Sequence, residues 1–76
     1  MTSQQFAEIR LEMGLTQKTL AHFFGSHQPE IARIENGQPT KKHAALIRAL
    51  LLLHRHGLIN RLRQEIFNEK GGEKKS

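Results

Sequence analysis

Apolar residues recur along the chain with helical spacing. Phe6, Ile9 and Met13 fall at i, i+3 and i+7, the spacing of one helix face. That pattern predicts a first helix from about Gln4 to Met13, with Thr2 or Ser3 as its cap and Gly14 as its end. Leu20, Ala21 and Phe24 predict a second helix from about Gln17 to Phe24, capped by Thr16 and closed by Gly25. Ile31 and Ile34 predict a third, from about Gln28 to Glu35, stopped by Asn36-Gly37. Thr40 then caps a fourth helix running to about Arg55. Its Leu46, Ile47, Ala49 and Leu50 to Leu53 are apolar nearly all round, a pattern expected of a helix covered on more than one side. Leu58, Ile59, Leu62, Ile66 and Phe67 form one stripe of a fifth helix from about Leu58 to Lys70. No segment alternates with the period of a strand. The fold class is therefore all-α with five helices. Residues 1–70 read as a single domain, and 71–76 (Gly-Gly-Glu-Lys-Lys-Ser) as a disordered tail.

Composition narrows the function. Twelve Lys and Arg stand against seven acidic residues, giving a net charge of +5 in 76 residues. That balance suits a polyanionic partner, nucleic acid before an anionic membrane. The longest leucine run, Leu50 to Leu53, is far short of the roughly 20 residues that span a bilayer. The N-terminus has no basic stretch leading into an apolar one, so no secretory signal is read and a cytoplasmic, nucleoid-associated protein is expected. There is no cysteine and no aspartate, and serine occurs only at 3, 26 and 76. A catalytic triad is therefore not expected, nor any other enzyme activity, and no cofactor is implied. Five histidines raise the question of a metal. His54 and His56 point to different sides of a helix at i, i+2, and His22, His27 and His43 are scattered, so no metal site is read. A domain this small buries only about 60% of the surface its unfolded chain exposes. The apolar surplus of the last two helices is thus read as a dimerisation region over about 46–69. Its two-fold contact is expected to be carried by Leu58, Ile59, Leu62, Ile66 and Phe67.

The informative block is Leu15 to Gly37: two helices of about eight residues joined by a glycine turn. This is the helix-turn-helix pattern, at about 16–36. Small Ala21 lets the helices approach, and Gly25 turns the chain between them. The residues Leu15-Thr16-Gln17, Leu20-Ala21, Phe24-Gly25, Ile31 and Arg33-Ile34-Glu35-Asn36-Gly37 resemble the Cro/C1, or XRE-type, helix-turn-helix family. The likeness covers roughly residues 4 to 55. That family includes lambdoid phage repressors and Cro proteins, restriction–modification controllers, many antitoxins and anti-CRISPR-associated repressors, often small stand-alone regulators of phages and mobile elements. The resemblance implies a lambda-repressor-like domain with an extended C-terminal helix.

It also implies roles by position. Gln17 would bond a DNA phosphate and buttress Gln28, with Thr16 and Lys18 beside it at the same helix start. Gln28 would meet a base edge, with adenine its natural partner, and Arg33 a guanine or a phosphate. Asn36, Lys41 and Lys42 would hold the backbone. Arg10 and Glu35 match an internal ion pair. Three positions depart from the family. His27 stands where Ser or Thr often caps the reading helix. Pro29 falls in that helix's first turn, where it costs nothing and can touch a thymine methyl. Glu30 could accept from cytosine N4 or repel other sequences. Phe23 replaces a polar residue; it is expected to lie under the fifth helix, an exposed ring being the other reading.

The reading that follows is a homodimeric, sequence-specific repressor on an inverted-repeat operator in double-stranded DNA, regulating its own gene. The rival is an antitoxin that grips a toxin through its fifth helix or Phe23 and represses its own operon.

Overall fold

A threonine ahead of the first, second and fourth helices supplies the side-chain group that starts each of them. The computed structural model describes residues 1–66. Helix α1 is Ser3–Glu12, α2 is Gln17–Phe24, α3 is Gln28–Asn36 and α4 is Lys41–Arg55. A fifth, α5, occupies 59–66. Among the described residues there is no strand, and the fold is all-α, as the spacing of apolar residues predicts. The expected positions of Phe67, the end of the fifth helix and the tail over 71–76 lie outside the described residues.

Three of these starts are capped by threonine. The Thr2 hydroxyl accepts from the Gln5 amide, and the Gln5 side chain accepts from the Thr2 amide, a reciprocal capping box. Thr16 and Thr40 accept from the amides three residues on and start α2 and α4. Gly25 ends α2 in the left-handed region at φ 66°, which glycine adopts without the penalty a Cβ brings. Gly37, after α3, is glycine for another reason. A Cβ there would lie 3.1 Å from the Arg33 carbonyl oxygen.

Phe6, Leu20, Ile31 and Ile47 are wholly buried, one from each of the first four helices. Met13, Leu15, Ala21, Ile34, Ala44, Leu50 and Ile59 pack around them. The Phe24 ring meets Phe6 edge to face at 6.1 Å. Helix α3 packs on both α2 and α1, and α4 packs on α1. No polar or charged residue is fully buried among those described, so the core leaves no whole polar side chain to be compensated.

Two features of the last helices bear on the expected dimerisation region. Within one chain, α4 is covered on one side only. Ala44, Ile47 and Leu50 face the core, whereas Leu46 and Leu52 are exposed, at 37% and 59%, as are Ala45 and Ala49. Ile59, assigned to an intermolecular stripe, is 7% exposed and belongs to the chain's own core. Leu62 is half-buried against that core, and Ile66 is also half-buried. Leu58, just ahead of α5, is exposed at 43%. Packing of α5 back onto the domain is the physical reason: an apolar stripe has the same spacing whether it meets its own core or a second chain. Phe23 is half-buried, with the Arg63 guanidinium 6.0 Å from its ring centre, so α5 lies over it as expected.

Candidate nucleic-acid interface

The site begins inside the domain. Arg10 on α1 reaches Glu35 on α3 with two donors, Nε to Oε2 at 2.7 Å and Nη2 to Oε1 at 3.2 Å. Its third contact is from Nη1 to the Leu15 carbonyl at 2.8 Å, in the loop before α2. The fork of a guanidinium matches a carboxylate in this two-point way. Both side chains are nearly buried, at 13% and 9%. The pair therefore binds three segments of the chain at one point.

Glu35 also accepts from Gln17 Nε2 at 3.0 Å, and Gln17 Oε1 accepts from Gln28 Nε2 at 2.6 Å. A continuous chain of bonds thus runs from Arg10 through Glu35 and Gln17 to Gln28. Gln17 opens α2 and Gln28 opens α3, so two helix starts are held side by side. Helix starts present free N–H groups and a partial positive charge, which favours phosphate. Thr16, Lys18, His27, Gln28, Pro29, Arg33, Asn36, Lys41 and Lys42 are all exposed. Asn36 donates its side-chain amide to the Ala32 carbonyl at 2.9 Å. Lys41 and Lys42 form the first turn of α4.

His27 precedes α3 without a side-chain capping bond, and Pro29 stands in the first turn. The next residue is placed differently from its neighbours. Glu30 Oε2 accepts from the Ser26 hydroxyl at 2.5 Å and lies 3.9 Å from His43 Nε2 on α4. The Ser26 hydrogen bond, opposed by desolvation and aided by the charges of His43, Arg33 and His27, holds the Glu30 carboxyl below its usual value. Sequence reasoning did not single out Ser26, Thr40 or His43 as parts of the site. Their signals were present: a Ser four residues before a Glu, and a Thr three residues before a His at a helix start. Among the described residues no three metal-ligating side chains converge, and no helix is long and apolar enough to cross a membrane.

Comparison with known families gives one match, to a helix-turn-helix family over residues 6–54, more than half of the chain. The chain belongs to the Cro/C1, XRE-type helix-turn-helix family. It is accordingly a DNA-binding transcription regulator, in a family that is not typically enzymatic. The matched span runs from Phe6 within α1 through nearly all of α4, so the Arg10–Glu35–Gln17–Gln28 chain lies wholly inside the helix-turn-helix domain. Neither curated proteins nor solved structures gave a match.

Proposed function

We propose that this helix-turn-helix regulator is a homodimeric repressor that reads an inverted-repeat operator through the major groove and represses its own gene. The observation that carries the reading is the pinned, exposed Gln28. Its amide is oriented by Gln17, and its helix carries Arg33 on the exposed side. Gln28 reads a base edge and Arg33 a guanine or a phosphate. Pro29 and His27 flank them at the start of the reading helix. Thr16, Gln17, Lys18, Asn36, Lys41 and Lys42 hold the phosphates on either side. In a chain of net charge +5, those contacts make affinity fall steeply with salt.

The two-fold contact lies in the region 46–69. Because Ile59 is taken by the core, its exposed apolar residues, Leu46, Leu52 and Leu58, are the better candidates. A dimer sets two half-sites about 10 bp apart, centre to centre. The alternative is capture of a toxin through the fifth helix or Phe23; the Arg63 side chain over the Phe23 ring weakens the second of these routes.

Selection of bound duplexes from a random pool, at low and at near-physiological salt, tests the proposal. Recovery of an inverted repeat with half-sites one helical turn apart at both salts is the expected result. Recovery of salt-sensitive, sequence-blind binding alone would overturn it.

A further inference from the structure

A second polar cluster lies between the first turn of α3 and the first turn of α4. Helix α3 starts without a side-chain cap from His27, the usual acceptor for the free N–H groups of a first turn. The His27 carbonyl accepts from the Glu30 amide at 2.9 Å and, more loosely, from the Ile31 amide at 3.4 Å. Ser26, immediately before the cap, donates instead to Glu30 at 2.5 Å. The Glu30 carboxylate faces His43 at 3.9 Å. His43 is itself held on two sides. Its Nδ1 lies 2.9 Å from the Thr40 hydroxyl, which also accepts from the His43 amide. Its ring stacks on Phe24 with planes 5° apart and centres 6.1 Å apart. Glu30, Arg33, Thr40 and His43 line a groove of about 300 Å³ between the two helices. The Glu30 carboxylate therefore sits on the α4 side of the reading helix.

We propose that Ser26, Glu30 and His43 form a clasp that sets the base-facing start of α3 against the phosphate-facing start of α4. Glu30 is then a positioning residue for DNA recognition, acting through His43 and Ser26 and not through a base. Its charge sits in the first turn of α3, where it opposes the helix dipole favourably. Its tie to His43 makes Gln28 on one side and Lys41 and Lys42 on the other parts of one rigid surface. This inference rests on the DNA-binding reading of that surface, but the clasp itself exists in the free protein and can be measured there.

The experiment compares wild type, Glu30→Ala, His43→Ala and the double variant in two ways. The first is binding to the selected operator and to random duplex. The second is native-state amide exchange at Ile31 and Ala32 of each free protein. Each single variant is expected to bind operator roughly tenfold more weakly, with the double variant no weaker than the worse single, as coupled residues require. The loss is spread over the half-site. Exchange at Ile31 and Ala32 quickens several-fold in both singles while α1 is unchanged, and Glu30→Gln, which still accepts from Ser26, recovers part of the protection. Losses that multiply in the double variant, or a relaxed preference at one base pair alone, would make Glu30 a base reader and overturn the proposal. Unchanged exchange in both singles overturns it without any DNA. If wild type selects no operator, the repressor reading falls while the exchange result still decides the clasp.

Discussion

Gln28 Nε2 donates to Gln17 Oε1 at 2.6 Å across the turn that joins α2 to α3. An amide nitrogen has two hydrogens, so one bond to Gln17 leaves the second hydrogen, and the carbonyl oxygen, for a base. Those two groups are what adenine takes from an amide. Gln28→Ala is expected to cost roughly 1–3 kcal/mol of specific binding and little on random duplex. Gln17→Ala removes the pin without removing the reader, so it should weaken specific binding less. Titration of both variants against the selected operator and a scrambled duplex checks the order; an equal loss on both duplexes for Gln28→Ala would make it a phosphate contact.

The same chain of bonds predicts where the fold is most sensitive. Glu35→Ala would leave the guanidinium of Arg10, 13% exposed, without its carboxylate. Breaking a buried pair in this one-sided way costs about 3–5 kcal/mol, comparable with the roughly 3–5 kcal/mol a core of this size supplies. Urea denaturation should find Glu35→Ala largely unfolded. The surface pair of Arg55 with Glu12, 3.3 Å apart and half exposed, is the control: Glu12→Ala should change stability by less than about 1 kcal/mol.

How much of this was legible in the sequence depends on the reach of each interaction. Thr16, Gly25 and Thr40 declare helix ends through bonds three or four residues long, and the boundaries of α2 and α4 follow from them. Arg10 and Glu35 are 25 residues apart. Nothing local pairs them, and only the family resemblance proposed their contact. Glu30 and His43 meet because α3 and α4 converge at their first turns, which no spacing rule expresses. Ile59, at 7% exposure within one chain, shows the same limit: periodicity shows that a face is apolar, not what covers it. The leucine run of α4 shows the converse: on a helix expected to be covered on more than one side, the chain's own packing covers one face and leaves the other open.

Lys41 stands exposed in the first turn of α4. As a phosphate contact it contributes charge and no sequence information. Lys41→Ala should weaken operator and random duplex alike and reduce the slope of log affinity against log salt by about one. A loss confined to the operator would make Lys41 a reader of bases.

Glu30 predicts a response to acid. Its carboxyl is held below the usual value, first by the Ser26 hydrogen bond. Folding therefore favours the ionised form. The stabilisation this provides is complete above the ordinary carboxylate range and is lost as pH falls through that range toward the lowered native value. Thermal melts from neutral to acid pH should show a smaller loss of stability in Ser26→Ala than in wild type, starting from a lower neutral value. Parallel curves would show that the bond does not distinguish the two charge states.

The face of α4 that points away from the core bears Ala45, Leu46, Ala49 and Leu52. Leu52 is the most exposed leucine of this helix, 59% against 37% for Leu46. A charge at Leu52 therefore disturbs little inside one chain, yet desolvating it against a second copy would be costly. Leu62, half-buried on the domain, offers no such separation, because an acid there injures the monomer as well. Leu52→Asp should give a folded monomer by sedimentation equilibrium, with helical signal retained and affinity for the two-half-site operator falling to that for a single half-site. Leu62→Asp should lose stability along with assembly. A tight dimer from Leu52→Asp would move the two-fold contact off α4, toward Leu58.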